Sequence, residues 1–204
     1  MRIAVFGGNG RVGRAVVAEA VRRGHAPVAL GRGAEVTDAA RVREATTGCD
    51  AVVSAVTPAS GPQELARLGD AFDGRFFARA AEALLAARPP RLVVVGLFAT
   101  LRTAAGGLVL DDPAAFPAAL RPFALAHLAG LDRLRADATG VDWAVLTPTA
   151  GLTGEGPRTG RYTLGGETVP DADPPLSHAD LAVAVLDEIE DPGVRRGRAS
   201  VHGR

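Results

Sequence analysis

Near the start of the chain the apolar run Ile3-Ala4-Val5-Phe6 breaks directly into Gly7-Gly8-Asn9-Gly10-Arg11-Val12-Gly13, and a helical pattern opens at Arg11. This junction constrains the fold more than any other stretch. A buried strand has to leave its sheet, turn sharply and start a helix that lies back against it. Glycine at Gly7 permits the turn, glycine at Gly10 lets a ligand approach the backbone with no Cβ between, and glycine at Gly13 lets helix and strand pack closely. The run fits GxGxxG from Gly8 and GxxGxxG from Gly7. Either pattern is weak alone, but the strand–turn–helix context gives it weight. The helix start offers amides and a partial positive charge to an anion. The expected anion is the pyrophosphate of a nicotinamide dinucleotide, held by Gly7, Asn9, Gly10, Arg11, Val12 and Gly13.

Downstream, short β-rich runs alternate with longer helical stretches. Residues 11–23 read as a helix with Val12, Ala15, Val16 and Ala20 on one face, ended by Gly24. Strands are expected at 27–30, 51–56, 91–95, 141–147 and 198–202. Further helices are expected at 38–46, over much of 62–88 with breaks near Gly69 and Asp73-Gly74, at 116–138 with a bend at Pro122, and at 180–190. The last is expected to be capped by Ser177, with Asp180 at the capping-box position. Apolar strands separated by helices imply an α/β fold: a Rossmann-type, doubly wound parallel sheet with helices on both faces. Residues 1–204 are expected to form one domain. The Gly-, Pro- and Thr-rich stretch 151–178 is a candidate substrate-side loop or lid, with a short hairpin at 161–166.

In such sheets ligands lie beyond the carboxyl ends of the strands. Ala55 and Val56, ending the third strand, and Pro148, closing the strand at 141–147, are therefore further candidates for cofactor contact. An acidic residue after the second strand would hold the ribose hydroxyl of NAD, but that strand runs out as Leu30-Gly31-Arg32. Arginine there suits the 2′-phosphate of NADP, with Arg11 as a second contact. The expected cofactor is NADP(H).

Composition narrows the partners. Net charge is zero, which gives no general attraction to nucleic acid or acidic membranes. Cys49 is the only cysteine, and the four histidines lack metal-ligand spacing. No apolar run approaches the roughly 20 residues of a membrane span. The expectation is a cytoplasmic protein, monomer or homodimer, acting on a small molecule.

The sequence GGNGRVG at 7–13, DAVVSAV at 50–56, Trp143 to Pro148, RTGRY at 158–162 and SHADLA at 177–182 together resemble the atypical short-chain dehydrogenase/reductases. The similarity is greatest to the NmrA-like, biliverdin-IXβ-reductase-like and flavin-reductase-like branch, and it spans nearly the whole chain. It implies a Rossmann core and NADP(H), but no single substrate. Typical members use a tyrosine and a lysine four residues later to move the substrate proton. This chain contains no lysine, and Phe123-Ala124-Leu125-Ala126-His127 stands where that pair would fall. His127 then becomes the candidate acid/base or ribose contact. Thr100, after the bulky Leu97-Phe98, stands in for the usual serine. Tyr162, the only tyrosine, is the only phenol available as an acid. A second departure lies between Arg32 and Val36, where a helix and a strand are missing, leaving at most a stub of edge strand at Glu35-Val36.

Three functions remain open from the residues. One is an NADPH-dependent oxidoreductase acting on a flavin, quinone or other conjugated acceptor. The second is an isomerase, lyase or hydrolase that has dropped the cofactor. The third is a non-catalytic NADP sensor.

Overall fold

The computed structural model describes residues 1–31, 35–59, 62–68, 72–154 and 156–204. Strand β1 (Arg2–Phe6) leads through the glycine turn into α1 (Arg11–Arg22), then β2 (Ala26–Leu30), α2 (Ala39–Thr46) and β3 (Ala51–Ser54). Helices α3 (Pro62–Leu68) and α4 (Phe76–Ala86) precede β4 (Arg91–Val95). Helix α5 (Arg121–Arg135) precedes β5 (Asp142–Pro148). The short strands β6 (Leu152–Thr153), β7 (Tyr162–Leu164) and β8 (Leu176–Ser177) lead to α6 (His178–Glu190) and β9 (Gly197–Gly203).

The main sheet has the order β2-β1-β3-β4-β5-β9-β7, parallel except where β7 runs antiparallel to β9. Alternation along each strand divides the core into two layers. Ile3, Val5, Val53, Val93 and Leu146 meet Val16 and Ala20 of α1 and Leu181, Val185 and Leu186 of α6. Ala4, Phe6, Val52, Leu92 and Trp143 meet Val42 of α2, Leu84 and Leu85 of α4, and Leu131 and Leu134 of α5. A third cluster, including Leu101, Val109, Leu110 and Phe116, fills the irregular segment between β4 and α5. Buried Arg91 ties the layers together: its guanidinium donates to the Glu188 carbonyl at 3.0 Å, the Glu188 carboxylate at 3.0 Å and the Asp142 carboxylate at 2.9 Å.

Chain order reverses between β1 and β3, so the crevice beyond their carboxyl ends is the switch point of the sheet. The glycine turn occupies it. Gly7 adopts φ +76°, and a Cβ there would lie 2.4 Å from the Ala55 carbonyl oxygen. A Cβ on Gly13 would lie 2.0 Å from the Gly7 carbonyl oxygen.

Several local expectations change. Pro122 does not bend a long helix; it sits in the first turn of α5, where a missing N–H costs nothing, and residues 118–120 form a separate 3₁₀ turn. The third strand ends at Ser54, so Ala55 and Val56 lie just past it. The 161–166 segment is not a local hairpin: β7 pairs with β9, because the edge of the long sheet offers a full row of partners. Ser177 does cap α6, accepting from the Asp180 N–H at 3.0 Å. The Asp180 carboxylate does not return the bond. It accepts from the Thr159 N–H at 2.8 Å, the Gly160 N–H at 2.7 Å and the Thr159 hydroxyl at 2.8 Å. No strand forms at Glu35-Val36; Val36 is instead buried in the second core layer, and among the described residues β2 is the sheet edge.

Gly13→Ala should destabilise the fold by about 3 kcal/mol, because the added methyl must displace backbone. The urea midpoint reads this directly, and a wild-type midpoint would mean helix and strand are not in this contact.

Candidate functional site

A two-armed cleft opens over the glycine turn. One arm, about 530 Å³, is walled by Gly7, Asn9, Gly10, Arg11, Arg14 and Gly31 on one side and by Leu65, Leu97, Phe98, Phe116, Leu120 and Phe123 on the other. The second arm, about 430 Å³, runs over the ends of β4 and β5, between Arg11, Val12 and Val56 and the stretch Pro148, Thr149, Ala150, with His127, Leu152, Gly154 and His178 closing it. Gly10, Arg11, Ala55, Thr57, Leu97 and Phe98 line both arms, so the two meet at the start of α1. Each arm has the size of a small-molecule site.

The sequence-derived cofactor residues are placed as follows. Gly7, Asn9, Gly10, Arg11, Val12, Ala55, Val56 and Pro148 all line the cleft. Gly13 lies beneath it, buried against Gly7. Arg32 lies outside the described residues. A dinucleotide fits what is present: the turn bears no side chain at Gly7 or Gly10, and the N-cap glycine gives α1 no side-chain cap, leaving that place to a bound anion.

The candidates for proton transfer fare differently. His127 lines the second arm and also a 40 Å³ apolar cavity behind it. Its ring stacks on Phe77 at a centroid distance of 3.6 Å and meets the Phe123 edge at 4.8 Å. Burial without a nearby carboxylate pushes its pKa down to about 3. This apolar setting disfavours the imidazolium and so runs against the expectation of an acid/base near neutral pH, while a hydrogen bond from the ring to a ligand in the arm stays open.

Thr100 lines the small cavity and neither arm of the cleft. Its hydroxyl donates to the Leu97 carbonyl at 2.8 Å and accepts from Arg198 at 3.2 Å, so it closes a 3₁₀ turn. Tyr162 lines no part of the cleft. Its hydroxyl donates to the Asp187 carboxylate at 2.7 Å, its ring packs on the α1–α6 core layer, and burial with that neighbouring carboxylate raises its pKa. Neither residue is presented to a substrate. Of the expected lid, Leu152, Gly154 and His178 reach the cleft, while Arg158 pairs with buried Glu19 at 2.7 Å. Residues 157–162 of that segment are fastened to α1 and α6.

Arg14, Thr57, Leu65, Phe116 and Leu120 are wall residues that the sequence reading passed over. Arg14 was accessible to it, three residues after Arg11 on the same helix face. The aromatic wall was not, since Phe116, Leu120 and Phe123 at helical spacing read as ordinary core.

Residues 32–192 match a family model described as NAD(P)H-binding. The chain is 30% identical to the Bacillus subtilis protein YwnB, whose function is uncharacterised, over 98% of each chain. Among solved structures it is similar to a candidate NADH-flavin reductase from Streptococcus pneumoniae, at 28% identity, full coverage of both chains and a TM-score of 0.79. It is also similar to a candidate epimerase from Bacteroides thetaiotaomicron, at 26% identity over 99% of this chain and 96% of the other, with a TM-score of 0.82.

The buried neutral His127 has a consequence for stability. The unfolded chain takes up a proton below about pH 6.5 and the folded one does not, so acid favours unfolding. Between about pH 6.5 and pH 5, above the range of carboxylate protonation, stability should fall by up to about 1.4 kcal/mol per pH unit. His127→Phe keeps a stacking ring and should reduce that slope in urea titrations, leaving the smaller share that His178, also lowered by burial and Arg11, contributes. An equal slope in the variant would mean the imidazole titrates normally.

Proposed function

From its membership of the NAD(P)H-binding family, to which this chain belongs, we propose that the protein is an NADPH-dependent oxidoreductase that reduces a flavin, quinone or other conjugated small molecule. The observation that carries this reading is the cleft over the glycine turn, which has an apolar aromatic wall and a cationic rim. Arg11 and Arg14 line the larger arm, and among the described residues no aspartate or glutamate lines it. A carboxylate would favour the free ribose hydroxyl of NAD, whereas guanidinium groups favour the phosphate of NADP. Arg32 would add a third cation at the end of β2.

When bound, NADPH supplies a hydride. The chain's own residues do the rest. Gly7, Gly10 and the first turn of α1 hold the diphosphate, and Pro148 and Thr149 flank the arm over β4 and β5 where the nicotinamide would rest. Leu97, Phe98, Phe116 and Phe123 offer flat apolar faces to a conjugated ring system and keep water away from it. A carbonyl reduction of the Tyr-Lys kind has no residues to run on: the chain has no lysine, and Tyr162 is held by Asp187. That favours acceptors which take a hydride through orientation alone. The likeness to a candidate NADH-flavin reductase agrees in substrate class.

Fluorescence titration tests the reading. NADPH should bind more tightly than NADH, and Arg14→Ala should weaken NADPH about tenfold while changing NADH little, as expected for about 1.4 kcal/mol of charge-assisted contact. Equal loss for both cofactors would remove Arg14 from the 2′-phosphate. Gly10→Val should abolish dinucleotide binding and keep the fold, since a Cβ there meets only the Gly7 carbonyl oxygen, at 3.1 Å. Unchanged affinity in that variant would refute the placement of the diphosphate.

A further inference from the structure

We propose that His178 is the proton donor of the cleft, delivering to the acceptor the proton that must accompany the hydride. The assignment rests on the oxidoreductase reading and adds a residue to it. Reduction of a conjugated acceptor by a hydride leaves a pair of electrons on a ring or carbonyl heteroatom. The acceptor becomes neutral only when a proton follows. In this scheme the proton leaves a ring nitrogen of the His178 imidazolium, a bond forms between it and the acceptor heteroatom, and the neutral imidazole takes a proton back from solvent. The overall change is acceptor plus NADPH plus one proton giving reduced acceptor plus NADP⁺.

The geometry leaves few alternatives. Among the described residues, Arg11, His127 and His178 are the titratable groups lining the arm over β4 and β5. Arginine keeps its proton at any working pH. His127 stacks on Phe77 and meets the edge of Phe123, an apolar setting whose desolvation disfavours a second proton on the ring. Thr100 and Tyr162 do not line the arm. His178 does, and it is half-buried, so one side meets the cleft while solvent remains within reach.

Its position is fixed with unusual redundancy. Ser177 caps the helix and donates to the Pro157 carbonyl at 3.1 Å. Asp180 gathers the Thr159 and Gly160 amides. The Leu176 N–H donates to the Gly151 carbonyl at 2.9 Å. The ring lies beside Gly154, where a Cβ would be in ordinary van der Waals contact with the His178 Cε1 at 3.6 Å. The charged group facing His178 from α1 is Arg11, the titratable group facing the arm from α5 is neutral His127, and on its own helix the Asp180 carboxylate is turned to the 159–160 backbone. Burial and Arg11 both lower its pKa, which makes the protonated ring a stronger acid.

The test uses the full chain with His178→Gln, with FMN and a naphthoquinone as acceptors. Turnover by the unaltered protein should fall as pH rises through the His178 pKa, below the ordinary histidine range. The variant should lose that limb and about 100-fold in turnover, the usual share of a general acid, while its Kd for NADPH stays within about twofold. A readout independent of turnover is the ring resonance of His178. Adding NADP⁺ should shift its signal and its titration midpoint while leaving His25 and His202 unmoved. If the variant keeps the wild-type pH profile, or the His178 signal ignores NADP⁺ that demonstrably binds, the assignment is overturned and the oxidoreductase reading survives. If the unaltered protein binds no NADPH, both are overturned.

Discussion

The contact on which the rest of the structure depends is the approach of α1 to the end of β1. With the would-be Cβ of Gly13 2.0 Å from the Gly7 carbonyl oxygen, that backbone contact leaves no room for a side chain at Gly13. The Gly10 N–H donates to the same Gly7 oxygen at 2.8 Å, and the Gly7 N–H donates to the Leu30 carbonyl at 2.9 Å. One turn thereby links β1, β2 and α1. It also sets the axis of α1 so that its N-terminus points at the crevice between β1 and β3. The anion binding proposed for the site would follow from this packing, because amides and helix dipole are aimed by the same contact that closes the fold.

Around that turn the two faces of the sheet do different work. The α1–α6 layer is laced by charge: buried Glu19 pairs with Arg23 at 2.7 Å and Arg158 at 2.7 Å, and Arg23 reaches Asp187 at 2.7 Å. The two arginines hold the Glu19 carboxyl at a pKa of about 2. This network pins the 156–162 segment to the body of the protein and sets the start of α6, and His178 with it, beside the end of β5. The α4–α5 layer is almost wholly apolar. It carries His127 and Phe123 to the cleft and makes that wall suited to flat, uncharged rings. A polar hinge on one side and an apolar wall on the other give the cleft its two characters.

Much of this was legible in the chain. The glycine turn, the parallel order of apolar strands and the capping serine of α6 are local features: each depends on residues a few positions apart, and periodicity reports them faithfully. Arg11, Val56 and Pro148 were placed near the strand ends by the same reading, although β3 stops at Ser54, two residues earlier than expected, and Pro148 is the last residue of β5. The proton-transfer candidates were less secure. His127 and Thr100 stand at the positions the resemblance marks and Tyr162 is the chain's only phenol, but sequence spacing says nothing about which way a side chain turns. Phe77 stacks on the first, Leu97 and Arg198 occupy the second, and Asp187 holds the third. His178 had been visible only as part of a recurring run.

The sequence by itself determined the topology and the anion-facing turn, because glycine spacing and hydrophobic period act through backbone sterics that need no distant partner. Tertiary structure alone decided the chemistry of the cleft. An apolar surround biases His127 toward its neutral form, the pairing of β7 with β9 placed Tyr162 on the α1–α6 layer, and the anchoring of α6 brought His178 to the second arm. Protonation and exposure depend on neighbours tens of residues away in the chain, which only the folded arrangement brings together.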